Sequence, residues 1–78
     1  MHYQLDVTLR QSEGALARVL GTAQRRGYWP LSMQAETDPR SSAWTLSMRV
    51  ESERSAHGLK SQLDKLHDCL AVEVAPCR

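Results

Sequence analysis

Between residues 2 and 9 the chain alternates. Tyr3, Leu5, Val7 and Leu9 are apolar, and Gln4, Asp6 and Thr8 between them are polar. A period of two over that length predicts a strand with one face buried. Gln11-Ser12-Glu13-Gly14 follows, and then Ala15, Leu16, Val19, Leu20 and Ala23 recur at the spacing of one helix face. Ser12 is expected to cap this helix and Glu13 to sit in its first turn. Arg25 and Arg26 suit the last turn, and Gly27 is expected to close it in the left-handed conformation.

Alternation returns at Trp29, Leu31, Met33 and Ala35, predicting a second strand. Pro30 places it at a sheet edge or a bulge, because proline has no N–H to give a ladder. Thr37-Asp38-Pro39-Arg40-Ser41-Ser42 has the chemistry of a loop. Trp44, Leu46, Met48 and Val50 then predict a third strand, hairpin-paired to the second. Ser52 to Ser55 can cap a second helix in which Ala56, Leu59, Leu63 and Leu66 share a face, with Gly58 a weak point costing about 1 kcal/mol against alanine. Leu70, Val72 and Val74 supply a last strand, ended by Pro76.

The order strand, helix, strand, strand, helix, strand is a doubled βαβ pattern. Right-handed crossovers interleave the halves into one antiparallel sheet of order 4-1-3-2 with both helices on one face. This is the ferredoxin-like split βαβ arrangement, an α+β class. The outward sheet face is expected to carry Gln4, Asp6, Thr8, Thr45, Ser47 and Arg49, and the indoles and the Tyr3 phenol to lie on the buried parity.

Composition narrows the functions rather than the fold. With 78 residues, 41% hydrophobic and 24% charged, the chain is expected to form one domain, residues 1–78, around one modest core. A net charge of +1 gives little electrostatic pull on nucleic acid. No run is long and apolar enough to span a bilayer, and the N-terminus does not read as a signal peptide. Two cysteines, Cys69 and Cys77, are too few for a disulfide framework, so a reduced, cytoplasmic chain is expected.

This fold hosts many chemistries. RNA-binding members stack bases on outward aromatics; here the third strand turns out Ala43, Thr45, Ser47 and Arg49. Metal carriers need a Cys-x-x-Cys after the first strand, where this chain has Arg10-Gln11-Ser12-Glu13. His67 and Cys69 lack the further ligands a zinc site requires, so no metal site is expected, and His57 and His67 read as surface helix residues. No triad or glycine-rich phosphate loop is recognisable, so no catalytic residue is assigned. Arg18 and Arg25, seven apart with Arg26 adjacent, read as a solvated helix face.

The run from Gln11 to Gly21, followed by Arg25-Arg26-Gly27-Tyr28, resembles the start of an ACT domain. With Ser32-Met33, and with Gln62-Leu63-Asp64-Lys65-Leu66-His67-Asp68 leading into Leu70 to Val74, it is similar more narrowly to the small regulatory subunit of acetohydroxyacid (acetolactate) synthase. The resemblance covers about residues 3 to 75. It implies a non-catalytic, activating partner of a large catalytic subunit in branched-chain amino-acid synthesis. Thiamine diphosphate, magnesium and FAD would belong to that partner, and this chain would hold no cofactor. In many relatives valine or another branched-chain amino acid inhibits through this subunit. A free-standing ACT-type amino-acid sensor, acting on another enzyme or a transcriptional regulator, is the alternative.

The residues suggest where an effector would sit. The loop at Gln11, Ser12 and Gly14 opens a helix whose leading N–H groups and positive dipole end attract a carboxylate, with Ala15 and Leu16 beside it. Gly14 either admits a ligand's backbone or merely eases the strand-to-helix turn. The first and second strands run parallel, so Tyr28 and Trp29 lie at the other end of the sheet. They can reach the Gln11–Gly14 loop only from a second copy, paired antiparallel along the second strand through Trp29, Pro30, Leu31, Ser32 and Met33. Valine-responsive relatives typically carry Asn where this chain has Trp29, and a β-branched residue where it has Pro30. The larger indole either fills the pocket or adds core at the seam, so weak or absent valine inhibition is expected. The length likewise matches a subunit without the C-terminal domain of longer relatives.

Overall fold

A computed structural model describes residues 1–77. Its elements are β1 (His2–Arg10), α1 (Ala15–Arg25), β2 (Trp29–Asp38), β3 (Ala43–Glu51), α2 (Ala56–Asp64) and β4 (Cys69–Pro76). β1 lies centrally, antiparallel to β3 and to β4, and β2 pairs antiparallel with β3. The sheet order is therefore β2-β3-β1-β4, the ferredoxin-like arrangement that the alternation predicts.

Period-two patterning sets the core. Tyr3, Leu5, Val7 and Leu9 of β1 face Val50, Met48, Leu46 and Trp44 of β3 in register, and all but Trp44 are buried. Onto that face α1 lays Val19 and Ala23, and α2 lays Leu59 and Leu63. α1 ends as the sequence predicts. Gly27 has φ +88°, its N–H donates to Gln24 O at 3.2 Å, and that of Tyr28 donates to Ala23 O at 2.9 Å. This paired closure needs a left-handed residue at Gly27. Ser55 caps α2, its hydroxyl accepting from the Gly58 N–H at 3.3 Å.

Several expectations are corrected. Ser12 does not cap α1: the residue before the helix is Gly14, at φ +77°, and no side chain caps the first turn. Glu13 accordingly lies ahead of the helix. β2 bulges between Pro30 and Ser32, so Trp29 shares its face with Glu51 whereas Met33 shares one with Met48. One extra residue flips the parity on either side of it, and the Trp29 indole is turned outward, 65% exposed, instead of lying on the buried parity with Trp44. A second irregularity, where Thr8 pairs Ala71 but Leu9 pairs Cys69, leaves Leu70 half exposed while Cys69 packs against the core. Finally, α2 stops at Asp64, so Leu66 and His67 belong to the turn that follows. Ala43, although on the outward parity of β3, is buried.

Candidate functional site

The mouth of α1 is built where β1 ends. Arg10 N–H donates to Asp68 O at 2.8 Å, tying the β1–α1 loop to the loop before β4, and Gln11 Nε2 donates to Ala43 O at 3.3 Å. The chain turns through Gly14, whose carbonyl accepts from the Arg18 N–H at 2.9 Å. With no side-chain cap, the leading amides of α1 keep a net positive end that suits a carboxylate.

An internal carboxylate already stands beside this mouth. Ser12 Oγ donates to Asp68 Oδ1 at 2.7 Å, and Arg18 Nε donates to Asp68 Oδ2 at 2.7 Å, completing an ion pair. Arg18 Nη2 also donates to Ser12 Oγ at 3.3 Å. The hydrogen bonds from Ser12 and then Arg18 hold the Asp68 carboxyl below the usual aspartate range, against its burial. Arg18 drapes over Gly14, where a Cβ would come within 3.0 Å of its Nη1. Arg18 is thus an ion-paired rather than a free cation, while it and Arg25 both stay exposed on the helix surface, as expected. The strand order, which sets the start of β4 beside the end of β1, is the signal that could have paired residue 68 with residues 12 and 18.

The expected site residues divide into two groups. Gln11, Ser12, Gly14, Ala15 and Leu16 come together at the α1 mouth, with Ala15 buried and Gln11 and Gly14 exposed. Tyr28 and Trp29 lie at the other end of the sheet, because Trp29 pairs with Glu51 while Asp38 pairs with Ala43. Tyr28 is buried in the core, and its hydroxyl donates to Ser55 O at 2.6 Å. Trp29 is exposed, and so are Leu31 at 45% and Met33 at 44%, with Pro30 partly buried and Ser32 exposed. These residues occupy the β2 edge of the sheet, which no strand covers in the single chain.

Elsewhere, Cys69 and Cys77 are free thiols. Burial and the nearby Asp64 push the Cys69 thiol above its ordinary pKa, so it stays protonated at neutral pH. No helix among the described residues is long and apolar enough to cross a membrane. No three His, Cys, Asp or Glu side chains among them converge as a metal site would require.

Several solved structures share this architecture. The ACT domain of the GTP pyrophosphokinase of Chlorobium tepidum superposes with a TM-score of 0.78 at 10% identity, over 96% of this chain and 97% of that one. The acetolactate synthase small subunit of Thermotoga maritima gives 0.82 at 16% identity, over 95% of this chain but 47% of that one. A formyltetrahydrofolate deformylase from Pseudomonas putida gives 0.73 at 13% identity, over 97% of this chain and 29% of that one. At such identities the likeness is one of fold. No curated protein matches the chain in sequence at a significant level. The family model of the ACT domain, however, matches residues 11–72, from the α1 mouth to the middle of β4. The chain belongs to the ACT domain family, regulatory domains of the amino-acid-binding type.

Proposed function

We propose that this chain is the activating small subunit of acetohydroxyacid synthase, working as a dimer joined edge to edge along β2, with a weak or absent response to valine. The runs from Gln11 to Gly21 and from Gln62 to Val74 support the choice of enzyme. The exposure of Trp29, Leu31 and Met33 along an unpaired edge supports the dimer, since bare apolar edges of small sheets recruit a second strand. Antiparallel pairing would bring Trp29 of one copy toward the Gln11–Gly14 loop of the other. Catalysis, thiamine diphosphate, magnesium and FAD would all lie on the large subunit.

The observation that carries the effector reading is the Asp68 carboxylate. It takes the Ser12 hydroxyl and the Arg18 guanidinium, two donors that an amino acid's carboxylate would otherwise recruit at the α1 mouth. A ligand there must bind on the leading amides alone or displace a charge-assisted pair. Both routes weaken affinity, and the Trp29 indole in place of a carboxamide weakens it further.

Co-expression with the catalytic large subunit, followed by purification through a tag on this chain, tests the partnership. Recovery of the large subunit with raised activity supports it. Recovery of this chain without that subunit favours the second reading, a sensor attached to another enzyme or regulator. That reading has one observation in its favour, the fold likeness that also extends to the pyrophosphokinase ACT domain and the deformylase.

A further inference from the structure

At the end of the sheet opposite Gly14, a depression of about 140 Å³ lies between the close of α1 and the start of α2. Arg26, Tyr28, Arg54, Gly58 and Gln62 line it. Two guanidiniums and a carboxamide supply many donors, and no carboxylate stands on the wall. Among the described residues neither Arg26 nor Arg54 has an ion pair or a side-chain hydrogen bond, whereas Arg18 has both. What sets these two apart is that they line one depression together, with no carboxylate among its lining residues.

The backbone of Arg54 is anchored, which sets where its side chain starts. Its carbonyl accepts from the Tyr3 hydroxyl at 2.9 Å, and its N–H donates to Ser52 Oγ at 3.0 Å. Ser52 Oγ in turn donates to Gly27 O at 2.8 Å, locking the β3–α2 loop onto the end of α1. The Arg54 side chain then lies across Gly27, where a Cβ would come within 2.9 Å of its Nε. The floor is neutral: burial raises the Tyr28 phenol above its ordinary pKa, and its proton is committed to Ser55 O. Gly58 keeps the wall open beside that oxygen, 3.0 Å from where its Cβ would be. The start of α2 adds its positive dipole end.

We propose that this depression is a second ligand site, taking the phosphate group of a small phosphorylated molecule between Arg26 and Arg54 with Gln62 as an added donor. A phosphate dianion matches two planar guanidiniums, each able to give paired N–H donors, better than a single carboxylate does. The cavity accepts the phosphate and a few further atoms but not a folded segment. The site shares no residue with the α1 mouth, so its failure would leave the proposed subunit role standing.

Amide NMR titration of the whole chain at constant ionic strength tests it, with inorganic phosphate, glycerol phosphate and a glutamate-rich peptide as separate probes. Saturable shifts of the Gly27 and Gly58 amides by either phosphate probe at millimolar concentration are expected. Arg54→Gln and Arg26→Gln should each weaken them about tenfold or more, while Arg25→Gln should leave them unchanged. Shifts by glycerol phosphate well below the inorganic phosphate midpoint would identify a phosphomonoester as the ligand, and equal midpoints free phosphate. The wild-type-like spectrum of each variant in chloride checks its fold. Absence of saturation with both phosphates, shifts that survive both cavity variants, or a response confined to the acidic peptide would each overturn the proposal.

Discussion

Arg18 Nε donates to Asp68 Oδ2 at 2.7 Å, joining the first turn of α1 to the loop that leads into β4, fifty residues along the chain. The partners come from two elements that meet only because β4 lies beside β1. The contact therefore ties the conformation of the α1 mouth to the closing strand of the sheet.

Acid should loosen that tie. The Asp68 carboxyl is held below the ordinary aspartate value of 3.8, so the folded state binds its proton less readily than the unfolded one. Its stabilising contribution is complete above that ordinary value and falls away as pH drops toward and through the lowered one. Urea melts taken downward from neutral pH should show wild-type protein losing more stability below about pH 4 than Asp68→Asn does. Parallel acid limbs for the two proteins would contradict this.

The same substitution bears on ligand capture. Asp68→Asn frees Arg18 from its ion pair and is expected to tighten binding of valine, leucine or isoleucine in calorimetry. Binding already tight in the wild type would contradict the proposed weak response.

Two glycines of the first helical segment should answer alanine with opposite signs. Gly21 has helical backbone, and a Cβ there meets only the far end of the Arg25 side chain at 3.0 Å. Gly21→Ala is expected to stabilise by up to about 1 kcal/mol. Gly14 holds φ +77°, so Gly14→Ala should destabilise by about 1 kcal/mol. Thermal melts of the pair decide the matter, and a gain at both positions would refute the reading of Gly14.

Gly58 behaves differently although it too lies inside a helix. Its Cβ would come within 3.0 Å of the Tyr28 hydroxyl, which is anchored on Ser55 O at 2.6 Å. Gly58→Ala should therefore bring no propensity gain and should cost stability. Tyr28→Phe should cost about 0.5–1.5 kcal/mol for the lost hydrogen bond. In the double variant the alanine should become neutral or favourable, because the crowding oxygen is gone. Additive effects in a double-mutant cycle would rule out the proposed crowding.

The dimer edge offers a test that leaves the core untouched. Leu31 and Met33 are exposed in the single chain, so Leu31→Lys and Met33→Lys should leave the melting temperature of the protomer nearly unchanged while blocking pairing. Sedimentation equilibrium should give a dimer for the wild type and a monomer for the double variant. A monomeric wild type would remove the seam.

How far the sequence could be read depends on the element. In β1 and β3 apolar and polar residues alternate without interruption, so parity, partners and core followed directly. In β2 and β4 the same alternation misled, because one bulged residue reverses the faces: Trp29 turned out of the core and Leu70 gave way to Cys69. Pro30 did announce the bulge, though not its consequence for Trp29. Ser12 has the chemistry of a cap, but Asp68 competes for its hydroxyl, and local propensity says nothing of a residue so distant in sequence. The α1 mouth was legible because glycine and helix onset are local signals. The arginine-lined cavity was not, since it is assembled from three separate segments around Gly27, Arg54 and Gln62.

Titrating purified catalytic large subunit of acetohydroxyacid synthase with this chain, and following acetolactate formation, tests the proposed role most directly. A saturable rise in kcat that valine does not reverse is the expected result. A rate unchanged at every concentration of the chain, with no complex on gel filtration, would contradict it.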